Sequence, residues 1–580
     1  MSAPSIAAPV VRRPRPRWTV AGAPRDDEVQ SLAQALTLPN VIARLLLARG
    51  FGEAEAAREF LRPRLERLHP PEAMGGMRLA VERLQRALRN DEMVMIHGDY
   101  DVDGICSTTL LTQLLRRAGG RVTPFIPHRL RDGYDLTMAG VRAAVECGAA
   151  VVVTADCGTS AVAPVAELRA RGIDVIITDH HLPGGPLPDA LAVLNPRAPG
   201  NGYPDPDLAA VGVAFKLALA LARAVGVGDG FVFRMLDLVA LATIADVAPL
   251  RGENRLFARY GLRLLAESDH AGIRALIRAA GLDGKPITAG RVGFILAPRL
   301  NAVGRLGHAL RGVELLMTAS EAEANPIARE LEELNRARQE MDRRTLDEAR
   351  EMVARTDLDE HYGLVLAGEG WHAGVIGIVA SRIVEETGRP ALLIALDQGQ
   401  GKGSGRSIPA FDLHGALGEC RDLLIRYGGH RAAAGVTVDA AQVPALRARF
   451  NAVARARLTA RDLIPELRID AELPLEAATE EIERLLTHFE PFGVGNPSPT
   501  FAARGVRLIG APKTVGKDGL RLRLATATGE IAGIGWGLAH LASTLSDGAR
   551  VDVAWKLERD EYRGANTLQA KLVDLVPVRG

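Results

Sequence analysis

His97-Gly-Asp-Tyr-Asp-Val-Asp-Gly104 (HGDYDVDG) sets three aspartates and a histidine within eight residues. The apolar run Met93-Val-Met-Ile96 leads into it. Cys106-Ser-Thr-Thr-Leu-Leu-Thr-Gln-Leu-Leu115, which has the pattern of a helix, follows it. The negative charge therefore falls where a buried strand ends and a helix begins. Asp101 and Asp103 are two apart, so in an extended segment they point to the same side. Like charges this close repel, and water or a cation must compensate them.

The same grammar, an apolar run closed by Asp or His, recurs further along the chain. Val151-Val-Val-Thr-Ala-Asp156-Cys-Gly158 and Val175-Ile-Ile-Thr-Asp179-His180-His181 repeat it, and Leu241-Ala-Thr-Ile-Ala-Asp246 carries a fourth acid on an apolar segment. Taken singly, each aspartate reads as a helix N-cap and the His-His pair as surface. Converging at one sheet edge, they suit a hard or borderline divalent ion, Mn2+ or Mg2+, better than a thiolate metal. Several aspartates sharing two ions make a two-metal centre for phosphate-ester hydrolysis.

Continuous apolar strands alternating with helices between residues 76 and 265 predict an α/β domain with a parallel sheet covered on both faces. Sites in such sheets lie at the carboxyl edge. Residues 1–75 read as a tail with short helices, and 266–355 as a helical connector ending in a long charged helix, Ser320 to Arg355. A second α/β domain is expected over 356–460. Residues 461–580 show short β-type runs split by turns, the pattern of a small barrel. At 580 residues the chain is too long for one domain. Net charge is +1, from 71 basic and 70 acidic residues, so global charge decides nothing about nucleic acid. Four cysteines without CxxC spacing suggest no zinc knuckle or disulfide framework, and fit a reducing cytoplasm. No run of about 18 apolar residues predicts a membrane span. Met1 to Val20 reads as a disordered tail with no apolar signal core.

The HxxxDxD, Asp156, Asp-His-His and Asp246 series resembles the DHH phosphoesterase superfamily. Gly370-Trp-His372 to Ala380, Ser404-Gly-Arg406-Ser407 and Tyr427-Gly-Gly-His430 to Gly435 resemble its DHHA1 domain. Pro298-Arg-Leu-Asn301-Ala-Val-Gly304-Arg305 and Pro491-Phe-Gly-Val-Gly-Asn496-Pro497 resemble its single-strand-specific DNA exonuclease branch, whose terminal barrel is of OB type.

The resemblance implies that His97 and Asp101 hold one Mn2+ or Mg2+, that Asp103, His180 and Asp246 hold a second, and that Asp156 bridges them. It places His181 at the scissile phosphate and gives Asp179 the task of orienting the histidine pair. Asp99 falls one step off the pattern and is read as structural or as a support behind the ligands. Arg129 is carried over as a 5′-phosphate contact. Beside it stand His128, where the family pattern expects Asn, and Asp135, where it expects Gly. Arg299, Asn301 and Arg305 are assigned to the same groove, with Asn335 and Arg338 weaker candidates. Ser404, Arg406, Gly429 and His430 would bind phosphates, the glycines around Ser404 letting backbone amides approach. Gly401-Lys-Gly-Ser-Gly405 lacks the spacing of a Walker loop. In the barrel, Trp536, Trp555 and Tyr562 are candidates to stack bases, and Lys513, Lys517, Arg521 and Arg523 to track phosphates.

The implied activity is 5′→3′ exonucleolysis of single-stranded DNA, releasing 5′-mononucleotides in recombination and repair. Single-stranded DNA is the expected partner, with a single-strand-binding protein and a helicase as candidate protein partners and a cytoplasmic monomer as the expected state. Two rivals stand beside this reading. One is a DHH phosphodiesterase for oligoribonucleotides or cyclic dinucleotides, which has no need of the long chain and barrel. The other is a non-catalytic single-strand-binding scaffold, which has no need of the complete set of acids and histidines.

Overall fold

The computed structural model describes residues 14–20, 22, 24–129, 131–560 and 566–578. The chain divides into two units, each described by itself. One holds residues 18–297, 312–324 and 468–580; the other holds 298–311 and 325–467 together with the N-terminus up to Arg17.

The first unit is built on a five-stranded sheet: β1 (Met93–Gly98), β2 (Arg121–Phe125), β3 (Val151–Ala155), β4 (Asp174–Thr178) and β5 (Ala192–Leu194). All neighbours are parallel, in the order β2-β1-β3-β4-β5. The intervening helices include α1 (Val102–Arg117), α2 (Met138–Glu146) and α3 (Val162–Ala170), with α4 (Ala210–Val225) and α5 (Leu236–Ala245) beyond the last strand. Every residue of β3 is buried, as a strand covered on both faces requires. The chain reverses its direction of winding between β1 and β3, and ligands of open α/β sheets bind outside the strand ends at such a point. In register, Gly98 pairs Ala155 and Ala155 pairs Thr178, so the segments at Asp99, Asp156 and Asp179 leave the sheet at one level.

The fourth acidic segment departs from the expected grammar. Asp246 caps the C-terminus of a helix, α5, and does not follow a strand. Eight of the ten residues of α5 are buried, which explains an apolar run without helical amphipathicity.

The C-terminal part of this unit is a seven-stranded sheet whose strands include Phe501–Arg507, Gly519–Ala525, Glu530–Gly535, Arg550–Asp560 and Thr567–Pro577. The N-terminal helices Asp26–Leu36, Asn40–Ala48 and Ala54–Leu61 share one hydrophobic core with it, through Ile42, Leu46 and Phe60 packed in the cluster of Phe489, Phe501 and Trp555. The expected N-terminal tail is partly ordered: Arg17–Val20 is a strand, and Trp18 Nε1 donates to Asp574 at 2.7 Å. Met1 to Arg13 lie outside the described residues.

The second unit carries a five-stranded sheet with strands β6 (Leu364–Glu369), β7 (Ala391–Asp397), β8 (Gln400–Arg406), β9 (Arg426–Gly429) and β10 (Ala433–Asp439), in the order β9-β10-β8-β7-β6. Only β6 and β7 run parallel. Helix α6 (Glu321–Ala354) realises the predicted charged helix, with Pro326 near its start, and α7 (Ile376–Thr387) follows β6. The alternating glycines of β8 are a packing feature. A Cβ at Gly401 would lie 2.5 Å from Ile394, and one at Gly403 would lie 2.5 Å from Val436. Among the described residues no single helix is long and apolar enough to cross a membrane.

Candidate metal centre

Asp101 is the N-cap of α1, and its Oδ1 accepts the N–H groups of Asp103 at 2.9 Å and Gly104 at 3.2 Å. One turn of helix thereby fixes both acids of the opening motif. Asp103 is buried and accepts from Ala210 N at 2.9 Å and Val211 N at 2.8 Å, in the first turn of α4. That positive helix end favours a carboxylate. Burial nevertheless pushes the Asp103 carboxyl up to about 7, with the neighbouring charge of Asp101 adding to the shift.

Asp156 follows β3 with φ +69°, a left-handed conformation that a non-glycine residue seldom adopts. Its Oδ1 is buried without a hydrogen-bond partner, as is Oδ1 of Asp99. Burial drives both carboxyls well above the ordinary range; the charge of Asp101 adds to the shift at Asp99, and those of Asp103 and Asp101 to the shift at Asp156. Asp246 is raised in the same way, by burial and then by Asp103 and Asp101. His180 Nε2 lies 3.4 Å from Asp156 Oδ1 and 3.7 Å from Asp246 Oδ2. Burial depresses this imidazole to about 4, leaving it a neutral donor.

Asp179 organises the other histidine. It accepts from Thr159 N at 3.0 Å, His180 N at 2.7 Å and His181 N at 3.1 Å. Its Oδ1 also lies 2.7 Å from His181 Nδ1. Burial opposes the charge on His181, but the hydrogen bond and charge of Asp179 outweigh it and raise the imidazole to about 9. Against burial, His181 in turn holds the Asp179 carboxyl below the usual range. The far nitrogen of His181, Nε2, lies 3.0 Å from the Tyr134 hydroxyl.

Among the described residues three sets of donors come within 4.8 Å of one another: Asp99, Asp101 and Asp156; Asp103, His180 and Asp246; and Asp156, His180 and His181. Asp99, read from sequence as structural or supporting, belongs to the first. His97 belongs to none of them. Its ring is fully buried beside Phe125, with Nδ1 3.5 Å from Cys157 Sγ and Nε2 directed at α2, where a Cβ on Gly140 would approach to 2.6 Å. Burial depresses its pKa to about 4. The residues fit a pair of divalent cations: the buried carboxylates repel one another, and Oδ1 of Asp99 and Oδ1 of Asp156 have no hydrogen-bond partner.

Beside this centre, Arg129 lies 4.7 Å over the Tyr100 ring. Asp135 has φ +74°, which accounts for the glycine expected there. Its carboxylate offsets the strain by accepting from Leu136 N at 2.8 Å and Gly158 N at 2.6 Å. His128 Nδ1 accepts Arg131 N–H at 3.4 Å. Sequence reasoning missed Tyr134 as a contact of His181; its only signal was its place just before Asp135, in the segment that follows Arg129.

In the second unit, Arg406 donates to Ser404 Oγ at 3.2 Å and to the Gly405 carbonyl at 2.8 Å. Both side chains lie against Gly377 in the first turn of α7, where a Cβ would come within 2.9 Å of Ser404 Oγ. Gly429 has φ +135° and His430 is exposed beside it. Arg299 pairs with Glu332 at 2.5 Å, and Arg305 donates to the Gly374 carbonyl at 2.6 Å. Asn301 lies half-buried on the same helical segment. Asn335 and Arg338 are buried, and Arg338 bonds to Asn335 and Asp342, so neither belongs to a solvated face. In the barrel Trp555 is a core residue, whereas Trp536 is 56% exposed. Lys513, Arg521 and Arg523 stand on its strands and Lys517 in the turn between two of them. Tyr562 lies outside the described residues.

This parallel sheet, with carboxylates and imidazoles gathered at its switch point, defines a DHH-type phosphoesterase. The DHH family N-terminal domain matches residues 93–243, the DHHA1 domain 360–456 and the RecJ OB domain 469–574. The single-stranded-DNA-specific exonuclease RecJ of Bacillus subtilis is 39% identical over 565 residues, covering 96% of this chain and 70% of that protein. The crystal structure of RecJ from Thermus thermophilus in complex with Mn2+ superposes with a TM-score of 0.84 at 35% identity, covering 98% of this chain and 80% of that one. Its Mg2+ complex gives 0.79 at 33% identity, covering 98% and 79%. The chain belongs to the RecJ family.

Proposed function

We propose that this chain hydrolyses single-stranded DNA from the 5′ end, one nucleotide at a time, releasing 5′-mononucleotides. The observation that carries the reading is the cluster of buried acids at the β1–β3 switch point, above all Asp156 with its partnerless oxygen in a strained backbone. Such strain is kept where function needs it. In the proposed set Asp99, Asp101 and Asp156 hold one ion and Asp103, His180 and Asp246 the other. His97, which the resemblance assigns to the first ion, has its buried Nε2 without a hydrogen-bond partner and stays in the proposed set beside Asp99. When bound, the pair of Mn2+ or Mg2+ ions supplies activated water and charge neutralisation at the phosphate.

The residues of the chain do the rest. His181, cationic at neutral pH, offers a positive hydrogen-bond donor to a phosphoryl oxygen as charge develops. Asp179 fixes its orientation and stabilises its positive charge. The water oxygen forms the new bond to phosphorus, and the bond from phosphorus to the 3′ oxygen of the first nucleotide breaks. Ser404, Arg406, Gly429 and His430 are proposed to bind the phosphates, Arg129 the 5′ phosphate, and Arg299, Asn301 and Arg305 the strand behind it. Roles in recombination and repair, a cytoplasmic location, a monomeric state, and work beside a single-strand-binding protein and a helicase complete the proposal; family resemblance supports them.

The test is a time course with Mn2+ on single-stranded DNA blocked at the 5′ or the 3′ end, with duplex and RNA alongside and Asp156→Ala as control. Mononucleotide release stopped only by the 5′ block, and absent on duplex, is expected. Hydrolysis of dinucleotides without turnover of long strands would replace this reading with a small-substrate phosphodiesterase. Binding without hydrolysis would leave a scaffold.

A further inference from the structure

The first unit contains a cavity of about 640 Å³, apart from the metal centre, lined by three stretches distant in sequence. These are the segment from Ala48 to His69, residues 250–256 at the start of the helix Gly252–Ala266, and residues between Arg468 and Pro497. Its walls include Ala48, Phe51, Phe60 and Leu256, and the two phenylalanine rings stack at 4.4 Å.

Seven arginines line the same cavity; Arg67 and Arg468 face acids, and the other five are Arg49, Arg62, Arg64, Arg251 and Arg255. The nearby acids are already engaged. Glu59 pairs with Arg67, Glu253 pairs with the buried Lys216 at 2.6 Å, and Asp470 faces Arg468 at 3.6 Å. Among the described residues none of the five arginines has a carboxylate within ion-pair distance. Three are held by neutral partners: Arg49 donates to the Pro497 carbonyl at 2.7 Å and to Asn496 Oδ1, Arg251 to the Gly495 carbonyl at 2.8 Å, and Arg255 to the carbonyls of Phe60 at 2.7 Å, His488 at 2.9 Å and Glu490 at 3.1 Å. They are therefore fixed in place without a paired counter-charge. Arg255 is buried, and its Nε has no partner. Burial depresses Arg49 to about 10, although the charge of Asp470 opposes the shift. Burial, then the like charges of Arg259 and Arg49, depresses Arg255 to about 9.

Fixed guanidinium groups without paired counter-charge around a concave, partly aromatic space make an anion site, since guanidinium forks match phosphate. The volume lies in the range of small-molecule pockets and is far larger than one phosphate needs. We propose that this cavity is a second ligand site that binds a nucleoside di- or triphosphate, its base against the Phe51 wall and its phosphates among the arginines.

The experiment is calorimetric titration of the full chain with ATP in EDTA, which keeps metal from holding phosphate at the catalytic centre. Adenosine and pyrophosphate serve as half-ligands and a thymidine octamer as a strand. The test variant is Arg62→Ala/Arg64→Ala, because both side chains are exposed and their loss leaves the core intact; Arg251→Ala is the second. Saturable ATP binding, weakened at least tenfold in the double variant and unchanged in Arg406→Ala, is expected, with each half-ligand weaker than ATP. Absence of saturable binding would overturn the proposal. So would binding lost in Arg406→Ala but kept in the double variant, which would place the nucleotide at the proposed DNA contacts. Displacement of ATP by the octamer, with octamer affinity reduced by the double variant, would assign the cavity to the strand and equally overturn it. None of these outcomes depends on exonuclease activity.

Discussion

Asp179 Oδ1 lies 2.7 Å from His181 Nδ1, and this contact makes the second histidine of the pair a cation while its neighbour His180 stays neutral. His181 titrates near 9 in the folded chain, against about 6.5 unfolded. Its protonation therefore contributes stability that is fully present below about pH 6.5 and is lost as pH rises through about 9. Asp179→Asn keeps the shape but removes the charge. We expect the His181 resonance of the metal-free variant to titrate at least one pH unit lower, read by NMR. Hydrolysis should fall about 10²–10³-fold, the usual loss on removing transition-state charge stabilisation. An unchanged titration would show that Asp179 does not hold the proton.

The acids of the centre make metal binding depend on pH. Burial, then the charge of Asp101, raises Asp103 to about 7 in the folded chain, against about 4 unfolded. In the metal-free protein the stability from its protonation is present below about pH 4 and is lost as pH rises through about 7. Mn2+ replaces the proton. The thermal shift produced by Mn2+ should therefore be larger at pH 8 than at pH 6. Affinity should fall about tenfold per pH unit below 7 for each proton displaced. Titration in two buffers of different ionisation enthalpy counts the protons released, and a pH-independent affinity would place Asp103 outside the metal set.

Asp156→Asn tests the strained residue. Asn tolerates the left-handed conformation at φ +69° and carries no charge. Hydrolysis should be lost. The metal-free protein should be more stable at pH 8, because the substitution removes a buried carboxylate that the charges of Asp103 and Asp101 repel. Urea denaturation measures it. A destabilised metal-free variant would mean that the Asp156 charge is already compensated.

What the sequence made legible here follows from local physics. Asp101, Asp156 and Asp179 could be found because a buried parallel strand is a continuous apolar run and its end falls at the site. The switch point itself could not be read, because strand order is a tertiary property. Asp99 was set aside on spacing, yet its carboxylate lies within reach of Asp101 and Asp156, and its backbone N–H is held by the Ala155 carbonyl at 3.1 Å. His97 matched the spacing; its ring packs against Cys157 and Gly140, and its Nε2 is buried without a hydrogen-bond partner, which no spacing shows. Asp246 was found for its apolar approach, although that approach is a buried helix. Asp135 was noticed as a departure from a pattern, and only the backbone shows that the pattern answers to a positive φ.

That departure makes a prediction of its own. Asp135→Ala keeps the Cβ at φ +74° and removes the carboxylate that bonds Leu136 and Gly158. It should cost about 1–3 kcal/mol. Asp135→Gly removes both the strain and the bonds and should recover most of the loss. Equal destabilisation by the two variants would show that the hydrogen bonds alone matter.

The two barrel tryptophans separate packing from recognition. Trp555 is fully buried and packs against Phe501, with ring centroids 5.4 Å apart. Trp555→Ala should destabilise the chain by about 3–5 kcal/mol, as large cavities in cores do. Trp536 is 56% exposed and lies over Gly519, where a Cβ would meet the ring at 3.0 Å. It keeps an open aromatic surface, so Trp536→Ala should leave stability within about 0.5 kcal/mol, the usual range for exposed positions. If Trp536 stacks a base, the same substitution should weaken binding of a long single strand by about 1–3 kcal/mol. Fluorescence anisotropy with oligomers of graded length checks this, because stacking on the barrel should affect long strands and spare the shortest. Equal loss at every length would move Trp536 from the strand path to the fold.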